Sequence, residues 1–214
     1  MPPANGILDL NAEGLLPLAI FAFTGALTPG PNNTIAMLTG ANRGWRAVLP
    51  HLLGVPTGFA VMTALMGTGL GALLLALPAW SLVLQGCGTL YLLYLSWRLA
   101  TSPVQAGTDK VAFRELKFLQ SVAFQFSNPK AWALSLGTVT AFAAQSTGRL
   151  AVVIAVWSAA NVTSIAVWAA MGQALIGWLA TPARRRAFNI VMALLLATTA
   201  LAVLVSQLRG QLPL

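Results

Sequence analysis

The chain has 214 residues, of which 57% are hydrophobic and 7% charged, and its formal net charge is +8 at pH 7. Soluble domains are about one quarter charged, so this composition excludes an ordinary soluble protein and predicts an integral membrane protein. The basic residues lie in short segments between apolar stretches, which is typical of topology signals and argues against a nucleic-acid partner.

Uncharged stretches long enough to cross a lipid bilayer recur along the chain. Divided at turn signals, they predict one membrane domain, 1–214, with six transmembrane helices at 15–41, 47–76, 79–100, 118–144, 149–178 and 187–208. A polar loop, 101–117, joins the halves 15–100 and 118–208. Each half has three spans, so the second half enters the membrane in the opposite sense. We therefore expect an all-α protein built from two inverted three-helix repeats.

The first predicted helix is broken near its middle by Pro29, Gly30, Pro31, Asn32 and Asn33. Pro31 has no backbone N–H and Gly30 loosens the turn, so a second half-helix should begin here. The two asparagines bring amides that both donate and accept hydrogen bonds. Non-helical backbone is tolerated at membrane depth only where protein or a cavity satisfies the freed groups, so this break predicts a binding site.

The second predicted helix contains His51, the single histidine. It is a candidate for proton coupling, and the alternative is a structural role. The chain has one cysteine, Cys87, and its four carboxylates lie outside the predicted spans: Asp9, Glu13, Asp109 and Glu115. These donors are too few and too dispersed for a metal site or for the acid–base pair of a membrane hydrolase. We expect no metal and no cofactor.

The fourth predicted helix, which opens the second half, is broken by Asn128, Pro129 and Lys130. Asn128 is a favoured helix cap and Pro129 a favoured first helical residue. A lysine at the bilayer centre costs about 2.5–3.5 kcal/mol, so Lys130 should face a polar interior or reach an interface. Two half-helix N-termini beside a lysine predict an anion site suited to a carboxylate. The alternative is a pair of kinks kept for packing, with the lysine extended to the headgroups.

Further polar and aromatic residues occur in the fourth and fifth predicted helices. Four of them are candidate pore-lining residues: Gln125, Ser127, Asn161 and Gln173. Hydrogen bonds between helices explain each of the four equally well. The tryptophans far from helix ends either pack between helices or line a substrate path: Trp132, Trp157 and Trp168.

The charges predict the orientation of the chain in the membrane. Nine of the twelve Lys and Arg residues fall on one side, after the first predicted helix, around 101–117 and before the sixth. By the positive-inside rule that side is cytoplasmic, so both termini should lie outside the cytoplasm. The first segment lacks the basic region of a signal peptide, so we expect the first helix to be retained.

Several segments resemble the LysE/RhtB family of amino-acid exporters, and the similarity extends over nearly the whole chain. The segments are 28–33 (TPGPNN), 44–46 (GWR) and 125–130 (QFSNPK). Segments 97–103 (WRLATSP) and 189–196 (NIVMALLL) resemble the subgroup that exports cysteine and O-acetylserine. Many family members carry Asp where this chain has Asn32, so a carboxylate that could carry the coupling proton is absent here.

The resemblance implies a bacterial inner-membrane protein that exports small amino acids or related metabolites, driven by the proton gradient. Its partners would be the substrate, protons and lipid. The sequence does not decide between a monomer and a homo-oligomer. In this hypothesis the two half-helix N-termini and Lys130 hold the substrate carboxylate, while Asn32, Asn33 and freed carbonyls receive the amino group. The two halves would rock around that site. A passive small-solute channel and a non-transporting membrane scaffold are the alternatives.

Overall fold

A computed structural model describes residues 12–69, 78–102, 115–143 and 147–211, which form eight α-helices and no strand. The helices are α1 Ala12–Leu27, α2 Pro31–Arg43, α3 Trp45–Gly67, α4 Pro78–Ala100, α5 Phe118–Ser127, α6 Pro129–Thr138, α7 Thr147–Ala174 and α8 Pro182–Gln211. A π-helical turn, Val139–Ala143, follows α6, and a short 3-10 helix, Trp178–Ala180, precedes α8. The all-α prediction is confirmed for the described part of the chain.

The number of membrane spans agrees with the prediction in part. Among the described residues, α3, α7 and α8 are long and apolar enough to cross a bilayer, and α1 with α2 forms a bent pair that would make a fourth span. Helix α4, and α5 together with α6, occupy the predicted third and fourth spans but do not combine sufficient length with sufficient hydropathy. The described residues thus contain three to four candidate spans by length and composition, and the six-span arrangement is a proposal taken up below.

Both predicted helix breaks are present. Helix α1 ends at Leu27, α2 begins at Pro31, and the two axes bend by 56°. Helix α5 ends at Ser127 and α6 begins at Pro129, with Asn128 alone between them. A proline at the first helical position explains both starts, because the N–H that it lacks would be unpaired there anyway.

Other predicted boundaries differ from the structure by a few residues. Helix α7 ends at Ala174 rather than at 178. Helix α8 begins at Pro182, so the three arginines 184–186 lie in its first turns instead of ahead of it. The proline again provides the start signal. The predicted ends of the second and fourth helices, at 76 and 144, and most of the loop 101–117 lie outside the described residues.

The helices pack around a central pair, α3 and α7. Helix α5 packs on α3, α1 and α2 pack on α7, and α4 pairs with α8 beside them. Small residues allow helices to approach closely. A Cβ added to Gly54 or Gly58 would lie 2.7 Å from the carbonyl oxygen of Phe118 or Val122, respectively. These two glycines of α3 are therefore used for packing within the chain, against α5.

Contacts near the ends of α2 and α4 hold these helices to their neighbours. Arg43, at the end of α2, forms an ion pair with Glu115 at 3.7 Å. Ser96 near the end of α4 donates to the carbonyl of Ala193 in α8 at 2.7 Å. The sequence assigns the basic helix ends to one side of the membrane. Which side of the membrane they occupy stays a prediction.

Candidate functional site

The two helix breaks meet at one cavity, which also has walls from α3 and α7. Its empty volume is about 350 Å³, including its open side. The residues contributed by the predicted site are Gly30, Pro31, Asn32, Asn33, Gln125, Asn128, Lys130 and Asn161. The remaining lining residues are Gly25, Ala26, Phe59, Ala131, Leu134 and Trp157. The cavity is therefore polar where the breaks meet and apolar elsewhere, as small-molecule sites commonly are.

A reciprocal amide pair joins α2 to α5 at this cavity. Asn32 Nδ2 donates to Gln125 Oε1 at 2.9 Å, and Gln125 Nε2 donates back to Asn32 Oδ1 at 3.2 Å. The second hydrogen on Gln125 Nε2 is donated to the carbonyl of Ser121 at 2.9 Å. Gln125 is fully buried, so the loss of its partner would leave a polar group without water or protein to bond.

Lys130 links the second break to the first. Its Nζ donates to the carbonyl of Thr28 at 2.6 Å, and that carbonyl also accepts from Asn33 Nδ2 at 2.9 Å. The absence of a side chain at Gly30 leaves room for this contact, because a Cβ there would lie 3.2 Å from both Cδ and Nζ of Lys130. An ammonium group has three N–H donors, so two remain for other partners.

The carbonyls freed at the end of α1 are paired by side chains from α2 and α7. Asn33 Nδ2 donates to the carbonyl of Ala26 at 2.8 Å. The hydroxyl of Ser164 lies 2.8 Å from the same oxygen and 3.0 Å from Oδ1 of Asn33. The indole N–H of Trp168 donates to the carbonyl of Leu27 at 3.2 Å. The carbonyls freed at the first break are thus paired inside the protein, as membrane depth requires.

The N-terminus of α6 has no N–H group left for a ligand. Asn128 Oδ1 accepts from the N–H of Lys130 at 3.1 Å, which is the cap predicted from the sequence. The carbonyl of Asn128 accepts from the N–H groups of Ala131 at 3.0 Å and Trp132 at 3.2 Å. Pro129 has no N–H. The donors of the first turn are therefore all used.

The N-terminus of α2 is different because its cap residue, Gly30, has no side chain to accept a hydrogen bond. The N–H of Thr34 bonds to the carbonyl of Gly30 at 2.9 Å. The N–H groups of Asn32 and Asn33 come before any intrahelical partner, and no acceptor for them occurs among the described residues. This end of α2 carries two unpaired donors and lies at the cavity.

Asn161 of α7 contributes a further unpaired donor. Asn161 lines the cavity and is only 8% exposed. Its Nδ2 is buried and has no hydrogen-bond partner among the described residues. Buried amide groups are usually paired, so an unpaired one in a cavity wall calls for an explanation.

His51 lies behind the cavity wall and is 1% exposed. Its Nε2 is 3.1 Å from the carbonyl oxygen of Asn32, and its Nδ1 is 2.9 Å from the hydroxyl oxygen of Ser121. A carbonyl only accepts, so Nε2 carries a hydrogen here. His51 therefore connects α3 to both α2 and α5, next to the amide pair.

The structure does not bring every predicted residue to the cavity. Ser127 donates to the carbonyl of Phe124 at 3.1 Å and lines a separate surface pocket beside Tyr91. Gln173 is exposed near the end of α7. Pro29 and Pro129 shape the two breaks without lining the cavity.

Phe59 of the cavity wall and Ser164, which pairs with the first break, were not predicted, because a phenylalanine or a serine in an apolar helix gives no signal of its own. Phe59 stacks near Trp157 with ring centroids 4.7 Å apart and forms the apolar wall. Within the described ranges, no three His, Cys, Asp or Glu side chains lie close enough together to hold a metal ion.

Comparison with known proteins places the chain among membrane transporters. Residues 23–207 match the family model described as LysE type translocator. The cysteine/O-acetylserine efflux proteins of Salmonella paratyphi A and Salmonella typhi are each 33% identical over 181 residues, which is 83% of this chain and 91% of theirs. The protein of the same name from Escherichia coli K12 is 30% identical with the same coverage. No solved structure matches the chain.

Proposed function

The chain belongs to the LysE type translocator family, and from that premise we propose that it exports small neutral amino acids or their metabolites. As a family member it is a membrane transporter and not an enzyme. The relatives named cysteine/O-acetylserine efflux protein support a substrate of that kind. The proposed location is the bacterial inner membrane, with both termini outside the cytoplasm.

The observation that carries the proposal is the meeting of two helix breaks at one cavity. Broken helices whose freed groups are satisfied by protein recur at the substrate sites of secondary transporters. We assign substrate binding to the residues of both breaks that line the cavity, and Pro29 and Pro129 shape the breaks that position them. The lining residues are Gly30, Pro31, Asn32, Asn33, Asn128 and Lys130. Gln125 and Asn161 complete the polar wall.

The hydrogen bonds refine which group of the substrate binds where. The N–H groups at the N-terminus of α6 are already bonded to Asn128. We therefore place the substrate carboxylate at the N-terminus of α2, beside Lys130. The carbonyls expected to receive the amino group are already bonded to Asn33, Ser164 and Lys130. The carboxylate part of the hypothesis is therefore kept, and the amino part is reconsidered below.

For the transport cycle we propose six spans in two inverted halves that rock around the cavity. The packing supports this arrangement, because α1 on α7 is matched by α5 on α3, and the pairs α3–α7 and α4–α8 each join corresponding helices of the two halves. The Asn32–Gln125 pair and the Lys130–Thr28 bond both cross between the halves. They would have to separate for the cavity to open to the other side.

We propose the proton gradient as the energy source. For His51, near the cavity, proton coupling and a structural role are the two candidate roles, and its hydrogen bonds to Asn32 and Ser121 favour the structural one. The test is uptake of labelled cysteine, O-acetylserine, threonine, homoserine and lysine into inverted membrane vesicles, with and without an imposed proton gradient. Accumulation that an uncoupler abolishes supports an active exporter. Uptake that only equilibrates points to a passive channel. Uptake equal to that of vesicles lacking the protein contradicts the proposed substrate class.

A further inference from the structure

The side-chain acceptors at the two helix breaks are mostly used, whereas several donors around the cavity are not. Oδ1 of Asn32 accepts from Gln125, Oδ1 of Asn128 accepts from the N–H of Lys130, and Oδ1 of Asn33 lies against the hydroxyl of Ser164. The carbonyls of 26–28 are bonded as well. A ligand in this cavity therefore meets few acceptors.

The unused donors come from two different helices. The N–H groups of Asn32 and Asn33 point out of the first turn of α2, where the helix dipole adds partial positive charge. Asn161 of α7 independently supplies the unpaired, buried amide Nδ2 in the wall of the same cavity. Lys130 adds the remaining N–H groups of an ammonium. All of these groups are hydrogen-bond donors that favour a negatively charged ligand with several acceptor atoms.

The cavity offers nothing to balance a cation. None of the described residues that line it is acidic. Glu115, the one acidic residue whose side chain the structure describes, pairs with Arg43 at the end of α2. An ammonium group in the cavity would also lie in the field of Lys130. A cationic side chain would meet the same field and would find no carboxylate to offset it.

We infer that the cavity recognises its ligand through the carboxylate, bound by the N–H groups of Asn32 and Asn33 and by Asn161 Nδ2, and that the ligand's amino group adds little to affinity. Three consequences follow for the ligand class. Carboxylates without an amino group bind, and amines without a carboxylate do not. Cationic amino acids are disfavoured by Lys130. This inference rests on the proposed function for its choice of probes. The binding measurement itself does not require that the protein transports them.

The test is a calorimetric titration of the purified protein in lipid nanodiscs under reducing conditions. Four probes separate the groups: L-cysteine, 3-mercaptopropionate, which lacks the amino group, cysteamine, which lacks the carboxylate, and L-lysine. We expect 3-mercaptopropionate to bind within about threefold of L-cysteine, and cysteamine and L-lysine at least about tenfold more weakly. Binding of cysteamine as tight as that of cysteine would overturn the inference. So would a tenfold loss with 3-mercaptopropionate, or no binding of any probe.

A variant series assigns the contact to Asn161. Asn161→Leu should weaken both carboxylates at least about tenfold, since one hydrogen bond to a charged group is lost. Asn161→Asp should weaken them further through charge repulsion. The matched control is Asn189→Leu, because Asn189 of α8 is 3% exposed, also has an unpaired amide atom and lies outside the cavity. Unchanged affinity in Asn161→Leu, or an equal loss in Asn189→Leu, would remove Asn161 from the site.

The binding measurement tests the carboxylate site, and the transport measurement tests the exporter, so either proposal can be rejected without the other. The expected probe pattern without uptake in vesicles would keep the carboxylate site and reject the exporter. Uptake of cysteine by a protein with the wrong probe pattern would keep the exporter and reject this site. The probe series uses the unaltered chain, so it decides the matter even if the Asn161 variants fail to fold.

Discussion

The ammonium of Lys130 and the carbonyl of Thr28 are 102 positions apart in sequence and lie 2.6 Å from each other, so that each helix break closes on the other. The bond gives Lys130 a partner in a segment predicted to be transmembrane. It also ties the two halves of the chain together at the cavity. An unpaired lysine at that depth would be costly.

Replacing Lys130 with Met keeps the length of the side chain and removes its charge and its donors. We expect uptake into inverted vesicles to fall at least about tenfold, because the cavity loses its one cation and a bond between the breaks. Arg186→Gln is the control, since Arg186 is exposed at the start of α8. Normal uptake by correctly inserted Lys130→Met would exclude this lysine from the substrate site.

The amide pair of Asn32 and Gln125 can be tested by a double-mutant cycle. Either single change to Leu leaves the other amide without its reciprocal partner, and we expect each to destabilise the protein by about 1–3 kcal/mol. The double variant should lose less than the sum of the two, because no amide is then left unpaired. Thermal unfolding in nanodiscs measures the three differences. Strict additivity would show that the two amides do not pair in the membrane.

His51 holds the backbone of Asn32 and the hydroxyl of Ser121 at once. From this geometry we expect His51→Gln to lower uptake at every pH while the shape of the pH profile stays the same, because a positional role does not depend on proton exchange. The measurement is initial uptake rate against pH in vesicles with matched gradients. A profile that flattens in His51→Gln would instead assign the coupling proton to His51.

Local sequence rules predicted where the helices break. The hydrogen-bond partners of the groups at the breaks depend on tertiary packing and could not be predicted in this way. Proline at the first helical position and Asn128 as a cap are local signals, and both appear in the structure where expected. That the same cap uses up the donors of α6 follows only from its hydrogen bonds. The pairing of the α1 carbonyls by Ser164 and Trp168 depends on which face α7 turns to α1, which no local pattern reveals.

Helix geometry alone could have removed two of the candidate pore-lining residues. Gln125 and Ser127 are two positions apart in one helix, so their side chains point to different faces. Gln173 is twelve positions beyond Asn161, about 18 Å further along α7 at the helical rise, and so cannot reach the same cavity. Asn161 needed the structure, because its helix is apolar on most sides and shows no clear buried face in the sequence.

The orientation of the chain is open to a labelling test. Cys87 is exposed and is the one cysteine, so Cys87→Ala gives a background free of thiols. A cysteine placed at Asn5 in that background should react with a membrane-impermeant maleimide added to intact cells, because the basic helix ends are expected to face the cytoplasm. Labelling that requires broken cells would reverse the predicted topology and the direction in which the cavity opens.

The contact between α2 and α7 relies on two glycines, Gly40 of α2 and Gly172 of α7, each of which faces the backbone of the opposite helix. A Cβ on Gly172 would overlap the carbonyl of Met37, and a Cβ on Gly40 would overlap the carbonyl of Ala169. No side-chain rotation relieves such an overlap, so α2 would have to move away from α7.

We therefore expect Gly172→Ala to destabilise the protein by about 1–3 kcal/mol and to reduce uptake, because α2 carries Asn32 and Asn33 into the cavity. The matched change is Gly86→Ala in α4, where an added Cβ meets nothing within 4 Å. There we expect no loss, or a gain of up to about 1 kcal/mol from helix propensity. Thermal unfolding and vesicle uptake measure both. Equal behaviour of the two variants would mean that α2 and α7 do not approach to backbone contact in the membrane, and the cavity's donors would then lose the support that positions them.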